Sequence, residues 1–426
     1  MGIEELKEKC NGKKLLILAG ASVHIKLVEA AKRLGVYTVV TDYLDDSPAK
    51  NIADKSWMIN ITDIVKLCEE SRKCGIDGVI SGWIDPCQRP YQELCEQLGV
   101  PCLYNKDQVV KMTDKHEFKK MCKENSVHVI PEYTIEQCIN HDVEFPVFIK
   151  PVDSRGSRGQ AVCRNYEQLM KAIDIAKSES SNGDVLIEKF MEDCHEFQVT
   201  YFVIDGHPYL IRTTDSYTGT LEQKLSNVVV CSVSPSVYTD TYLETTNNLV
   251  IEMFKRLGIN NGPVFMQGFE KNGEFYFFDP GARFPGVDFE LILKKVYGYD
   301  LMEAMVIYAL TGVMPKMDIS EDSVFIKNMR AAIMFPTIGA GEIKRIIGYD
   351  LFEKRADIIS ILSRAQERDK ISWTYDVNQR LAEIDILSNN TDELIQLIQF
   401  IQNNLRVLDI DENNMIYGEF DVDRIK

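Results

Sequence analysis

Over its first 110 residues the chain alternates short apolar runs with helix-length stretches, and that rhythm stops near residue 112. The run Leu15-Leu16-Ile17-Leu18-Ala19 has the unbroken apolar character of a buried strand. It meets Gly20-Ala21-Ser22, after which Ile25, Val28, Ala31 and Leu34 recur at helical spacing up to Gly35. A second strand is expected at Tyr37-Thr38-Val39-Val40-Thr41, and others at 57–61, 78–81 and 101–103, with helices near 63–73 and 88–98 between them. Strands alternating with helices make βαβ units, so this part predicts a doubly wound parallel sheet, an α/β domain.

Beyond residue 112 the signals change. Thr113 is placed to cap a helix running to Asn125. Two hairpins are expected, 199–204 with 208–212 around Asp205-Gly206, and 265–270 with 274–278 around Asn272-Gly273. Such dipeptides accept the positive φ angles that tight turns need. Helices are expected over 241–257 and 301–310, the second stopped by Gly312 and Pro315. This middle part is α+β. From about 322, a strand at 330–335, a turn at Gly339-Ala340-Gly341 and an amphipathic helix at 391–403 predict a smaller α+β domain. The expected divisions are 1–112, 113–320 and 321–426, three domains, which agrees with about 150 residues per domain for 426.

Composition acts here mainly by exclusion. Lysine and arginine total 48 against 65 acidic residues, a net charge of −17. A protein that coats nucleic acid or an anionic membrane needs a positive face, so neither partner is expected. The 11 cysteines stop at Cys231 and contain no C-x-x-C pair, so metal-ligand spacing is missing. Scattered thiols fit a reducing compartment. Residues 1–9 are charged and lack the apolar segment of a secretory signal, and no apolar run nears the roughly 18 residues of a membrane span. A cytoplasmic location is expected.

Four segments could carry chemistry. In Gly20-Ala21-Ser22-Val23-His24-Ile25, Ser22 and Ile25 replace two glycines of a dinucleotide fingerprint, although Asp42 sits where a ribose acid would. A turn that builds the fold is the reading favoured there. In Pro151-Val152-Asp153-Ser154-Arg155-Gly156-Ser157-Arg158-Gly159, glycines let backbone N–H groups crowd against phosphate, and Lys150 ends the strand before it. The stretch 184–192 is an acid-bearing strand, with Glu196 beyond it. Gln267 and Asp279 lie on the two arms of the Asn272-Gly273 hairpin, with Arg283 following. Oxygen ligands on neighbouring strands suit Mg²⁺, and Arg283 could fork onto a phosphoryl group. A plain two-residue turn would set Gln267 opposite Phe278, so pairing it with Asp279 requires a bulge or a longer loop. The six histidines, His24, His116, His128, His141, His195 and His207, read as structural or surface residues.

The order of these segments resembles the ATP-grasp superfamily, on the branch with biotin carboxylase, the carbamoyl phosphate synthetase large chain and glycinamide ribonucleotide synthetase. The resemblance implies a pre-ATP-grasp domain, a central ATP-grasp domain with a lid over about 126–190, and a small C-terminal domain. It implies ATP and Mg²⁺ (or Mn²⁺) as cofactors. Lys115, in Met112-Thr113-Asp114-Lys115, and Lys150 correspond to the phosphate-binding lysines, and Ser154, Gly156, Ser157 and Gly159 to the lid loop. Glu188, Lys189 and Phe190 resemble the adenine hinge, and Glu196 the ribose acid. Gln267 and Asp279 correspond to the metal ligands; Arg283 and Lys150 are the catalytic candidates. In Asp279-Pro280-Gly281-Ala282-Arg283, Gly281 stands where the family pattern has Asn, and the acid is the shorter Asp.

The reaction implied is activation of a carboxylate as an acyl phosphate for attack by an amine, by an ADP-forming carbon–nitrogen ligase. Its partners would be a small-molecule carboxylate and an amine, and the resemblance allows a homodimer. Two alternatives stand beside it: a bicarbonate-activating enzyme, with Lys224 and Arg330 as basic candidates, and a non-catalytic ATP-binding protein, motivated by Gly281.

Overall fold

The apolar run at Leu15 becomes strand β1 (Lys14–Leu18), whose last four residues are buried on both faces, as a central parallel strand requires. It pairs in parallel with β2 (Tyr37–Thr41) and with β4 (Gly78–Ile80), while β3 (Lys55–Trp57) flanks β2. The computed structural model describes residues 2–425 apart from 152–158, 181, 221–224, 226–227 and 288. Asp42, at the end of β2, accepts from the Gly20 and Leu44 N–H groups at 2.8 and 2.9 Å. Its carboxylate thus holds the turn after β1.

Four local expectations differ from the structure, the first being the strand expected at 57–61, which is instead β3 and ends at Trp57. Residues 101–103 form no strand: the Leu103 N–H donates to the Tyr91 hydroxyl and the Cys102 carbonyl accepts from Tyr308, so side chains take what a strand neighbour would. The helix over 115–124 is capped by Asp114, which accepts from the His116 and Glu117 N–H groups, while the Thr113 hydroxyl donates to the Val109 carbonyl. The stretch 241–257 is two helices, Thr239–Thr245 and Asn247–Leu257, broken at Thr246. Asn247 there turns into the core and accepts from the buried Tyr201 hydroxyl at 2.6 Å.

The middle of the chain supplies two antiparallel sheets. The smaller has β5 (Val147–Pro151) between β6 (Ala161–Cys163) and β7 (Val185–Lys189), with its own core of Val147, Ile149, Leu169, Ile173 and Ile187. The larger has eight strands. It runs from β12 (Glu274–Gly281) through β11 (Gly262–Lys271), β8 (His195–Ile204), β9 (His207–Thr218) and β10 (Val229–Ser234) to β13 (Arg330–Met334). Strands Ala382–Ser388 and Ile358–Ser363 complete it. Both expected hairpins form, with φ of 49° and 80° at Asp205 and Gly206 and of 53° and 84° at Asn272 and Gly273. The large sheet crosses residue 320 without a break, since β10 pairs with β13 over four residues. Among the described residues no helix is long and apolar enough to cross a membrane.

Candidate active site

At one end of the large sheet, Gln267 pairs directly with Asp279, and the register shifts between Gln267 and Gly268. Because Gly268 faces Phe277, Phe278 is the extra residue of a bulge. The bulge turns the Asp279 carboxylate and the Gln267 amide toward one face of the hairpin. The Lys115 ammonium lies 3.2 Å from Asp279 Oδ1. Burial raises the Asp279 carboxyl above its usual range; Lys115 works against that and Asp85 adds like-charge repulsion. Burial is the main force against the charged carboxylate, and Arg283 joins Lys115 in opposing it. Among the described residues no three His, Cys, Asp or Glu side chains form a metal cage. A cation here would rest on Gln267, Asp279 and oxygens brought by a phosphate ligand, as Mg²⁺ accepts.

Gly281 follows on β12. A Cβ built on it would overlap the ring of Phe265, which pairs with it from β11. The position therefore excludes any side chain, and Asp279 has no second protein ligand at 281. The Arg283 guanidinium lies over the Phe265 ring at 4.6 Å and forks onto Asp85. The Gln88 side chain accepts from the Ala282 N–H at 2.9 Å, so the N-terminal domain holds this loop at two points.

The helix Lys115–Glu124 joins the two sheets. Lys115 reaches Asp279 in the large one, while Lys119, one turn on and 2% exposed, reaches Glu188 in the small one. Residues four apart share one helix face. Lys119 also donates to Glu132 at 2.7 Å, and Lys150 from β5 lies 3.0 Å from the other Glu188 oxygen. Burial opposes ionisation of Glu188, but Lys119 and Lys150 outweigh it and hold the carboxyl below its usual range. Glu188 is thus an ionised, buried acid clamped between two ammonium groups.

Next to it, Lys189 pairs with Glu144 at 2.5 Å, and the Phe190 N–H donates to the Pro146 carbonyl. The Phe190 ring lies 6.5 Å from that of Phe148. Glu196, on β8, has no ammonium partner among the described residues; burial pushes its carboxyl up to about 7, with His195 pulling the other way. A carboxyl poised near neutrality suits a neutral hydroxyl partner such as a ribose. Gly159 has a φ of 71°, which favours glycine. Ser154, Arg155, Gly156, Ser157, Arg158 and Lys224 lie outside the described residues.

Sequence reasoning missed Asp85, Gln88, Lys119 and Glu132. Lys119 had one available signal, a lysine one turn beyond Lys115 on a helix otherwise apolar on that face. Asp85 had none, since its partner lies 198 positions away.

Residues 114–316 match the profile of the carbamoyl-phosphate synthase L chain, ATP binding domain. Among characterised proteins, the small subunit of 2-oxoglutarate carboxylase from Hydrogenobacter thermophilus is 24% identical over 295 residues. That match covers 64% of this chain and 61% of the relative. Among solved structures, phosphoribosylglycinamide synthetase from Anaerococcus prevotii superposes with a TM-score of 0.75 at 20% identity, covering 93% of this chain and 99% of that one. The L-amino acid ligase from Bacillus licheniformis superposes with a TM-score of 0.72 at 18% identity, covering 94% and 99%. The two structural superpositions span nearly the whole chain, whereas the profile matches its middle part alone.

Proposed function

We propose that this chain, whose central domain is an ATP-grasp domain, is an ATP-dependent ligase that phosphorylates a carboxylate and passes the resulting acyl group to an amine. The observation that carries this reading is the convergence of Lys115, Gln267, Asp279 and Arg283 at one corner of the large sheet. Lys150 and Glu188 meet across the small sheet, joined to that corner by one helix.

A carboxylate is a poor electrophile because its charge repels nucleophiles. Attack of its oxygen on the γ-phosphorus of ATP breaks the bond to the β–γ bridging oxygen, and ADP leaves. The amine nitrogen then attacks the acyl carbon, phosphate leaves, and the nitrogen gives up a proton. Catalysis of this kind is mainly positioning and charge neutralisation. Lys115, Lys150 and Arg283 would supply the positive charge, and the hinge at Glu188–Phe190 with Glu196 would hold the nucleoside. Mg²⁺, when bound by Gln267 and Asp279, would neutralise phosphate oxygens. The Phe265 ring against Gly281 leaves no room for a side-chain ligand at 281, so among the described residues Gln267 and Asp279 would hold the ion.

The test is release of ADP and phosphate from ATP and Mg²⁺ with a panel of acids and amines. Release that requires both an acid and an amine supports the ligase. Tight ATP binding with no turnover across the panel would instead favour a binding protein. The likeness to the 2-oxoglutarate carboxylase subunit supports a second reading, in which bicarbonate is the acid; ADP release stimulated by bicarbonate alone would favour it.

A further inference from the structure

On the face of the large sheet that carries Gln267 and Asp279, the strand register runs from Gly281 through Phe265 and Thr200 to Arg212. Directly paired residues of antiparallel strands share a face. Arg212 is 1% exposed and donates through Nε to Ser234 Oγ at 3.2 Å, yet its Nη1 has no hydrogen-bond partner among the described residues. The Thr200 hydroxyl, 2% exposed, is also unpartnered among them. Both line a small cavity with Phe284, Phe289 and Glu290, and Phe284 directly follows Arg283. The Arg212 guanidinium lies over the Phe289 ring at 4.7 Å.

Leaving one N–H of a buried charged donor without a hydrogen-bond partner is expensive, and folded proteins rarely do so without a reason. Burial pushes the guanidinium down to about 10, even though Asp385, Glu383 and Glu290 all work to stabilise its charge. A planar fork with a free N–H, beside a free hydroxyl, matches a carboxylate. In this structure the cavity has room for about one water molecule, so a carboxylate would have to widen it to reach Arg212.

We propose that Arg212, with Thr200, holds a carboxylate that does not react, so that one substrate carries a carboxylate beyond the one activated. That substrate is a small dicarboxylic acid or an amino acid acting as the amine. The inference rests on the ligase reading, and the test separates the two.

Binding comes first, with the full chain and a non-hydrolysable ATP analogue. Succinate and glutarate are each compared with their monoamides, and alanine with alaninamide. At least one free carboxylate should bind about tenfold or more tightly than its amide. Arg212→Gln should abolish that preference while changing analogue affinity less than about twofold. If Arg212→Gln does not fold, the isosteric Thr200→Val serves, with a loss of about threefold or more in carboxylate affinity and none in the analogue's. Equal preference in wild type and variant, or no preference in wild type, overturns the subsite. Turnover with ammonia as amine identifies a dicarboxylate, and turnover with alanine an amino acid. Carboxylate-dependent binding without turnover leaves the subsite standing and sinks the ligase reading.

Discussion

Arg283 forks onto Asp85, its Nε donating to Oδ1 at 2.5 Å and its Nη2 to Oδ2 at 2.6 Å, across 198 residues of sequence. The arginine side chain is 11% exposed and the aspartate 57%. The more buried partner is the one whose direction matters, and the N-terminal domain fixes it.

Asp85→Ala should therefore lower kcat for ADP release by about tenfold or more, as loss of a transition-state contact does, with ATP affinity within about threefold. Coupled ADP assays and calorimetric titration with an ATP analogue measure the two. Unchanged kcat would mean that Arg283 does not need this hold.

The two lysines of the bridging helix should separate cleanly. Lys119→Met removes one of two ammonium groups from the buried Glu188 and should destabilise the protein by about 3–5 kcal/mol. Lys115 is half exposed, so Lys115→Ala should change stability by less than about 1 kcal/mol while abolishing turnover. Urea unfolding with activity assays tests both, and equal destabilisation would contradict the assigned roles.

Glu196 gives a pH signature. Its carboxyl lies at about 7 in the folded protein against 4.5 in an ordinary setting. The folded state therefore binds more protons between those values, and stability falls as pH rises from 4.5 to 7. Glu196→Gln removes that dependence. The variant should match wild type near pH 4 and exceed it near pH 8 by up to about 3 kcal/mol, since each pH step between the two values is worth about 1.4 kcal/mol. Chemical denaturation at both pH values measures the difference, and parallel stability curves would refute it.

An asparagine placed at 281 should fail on its own. Gly281→Asn forces a side chain into the Phe265 ring and should destabilise by about 1–3 kcal/mol, as overpacking does. The double variant Gly281→Asn, Phe265→Ala should recover part of that loss and lower the Mg²⁺ concentration at half-maximal activity. A fully stable Gly281→Asn would show that Phe265 moves aside freely.

What was legible in the sequence was local. Asp205-Gly206 and Asn272-Gly273 announced their hairpins because positive φ is written in residue type. The need for a bulge opposite Gln267 followed from counting residues around one turn. Lys119 with Glu188, 69 positions apart, and Arg283 with Asp85 carry no such mark. The missing strand at 101–103 failed for the same reason, because Tyr91 and Tyr308 take its backbone groups from elsewhere in the fold. The part played by Arg212 is not legible either, since the pairing with Thr200 that buries it is set by the fold.

The pairing of β10 with β13 bears on how this protein could be dissected. A fragment ending near residue 320 would keep every residue proposed to touch ATP, yet it would leave Cys231–Ser234 as a raw sheet edge with no partner. Unprotected edges of this kind recruit other chains. Limited proteolysis in that connection should therefore yield a nicked protein whose two pieces stay together, and the shortest fragment that remains monomeric in solution should extend well past the ATP-binding residues.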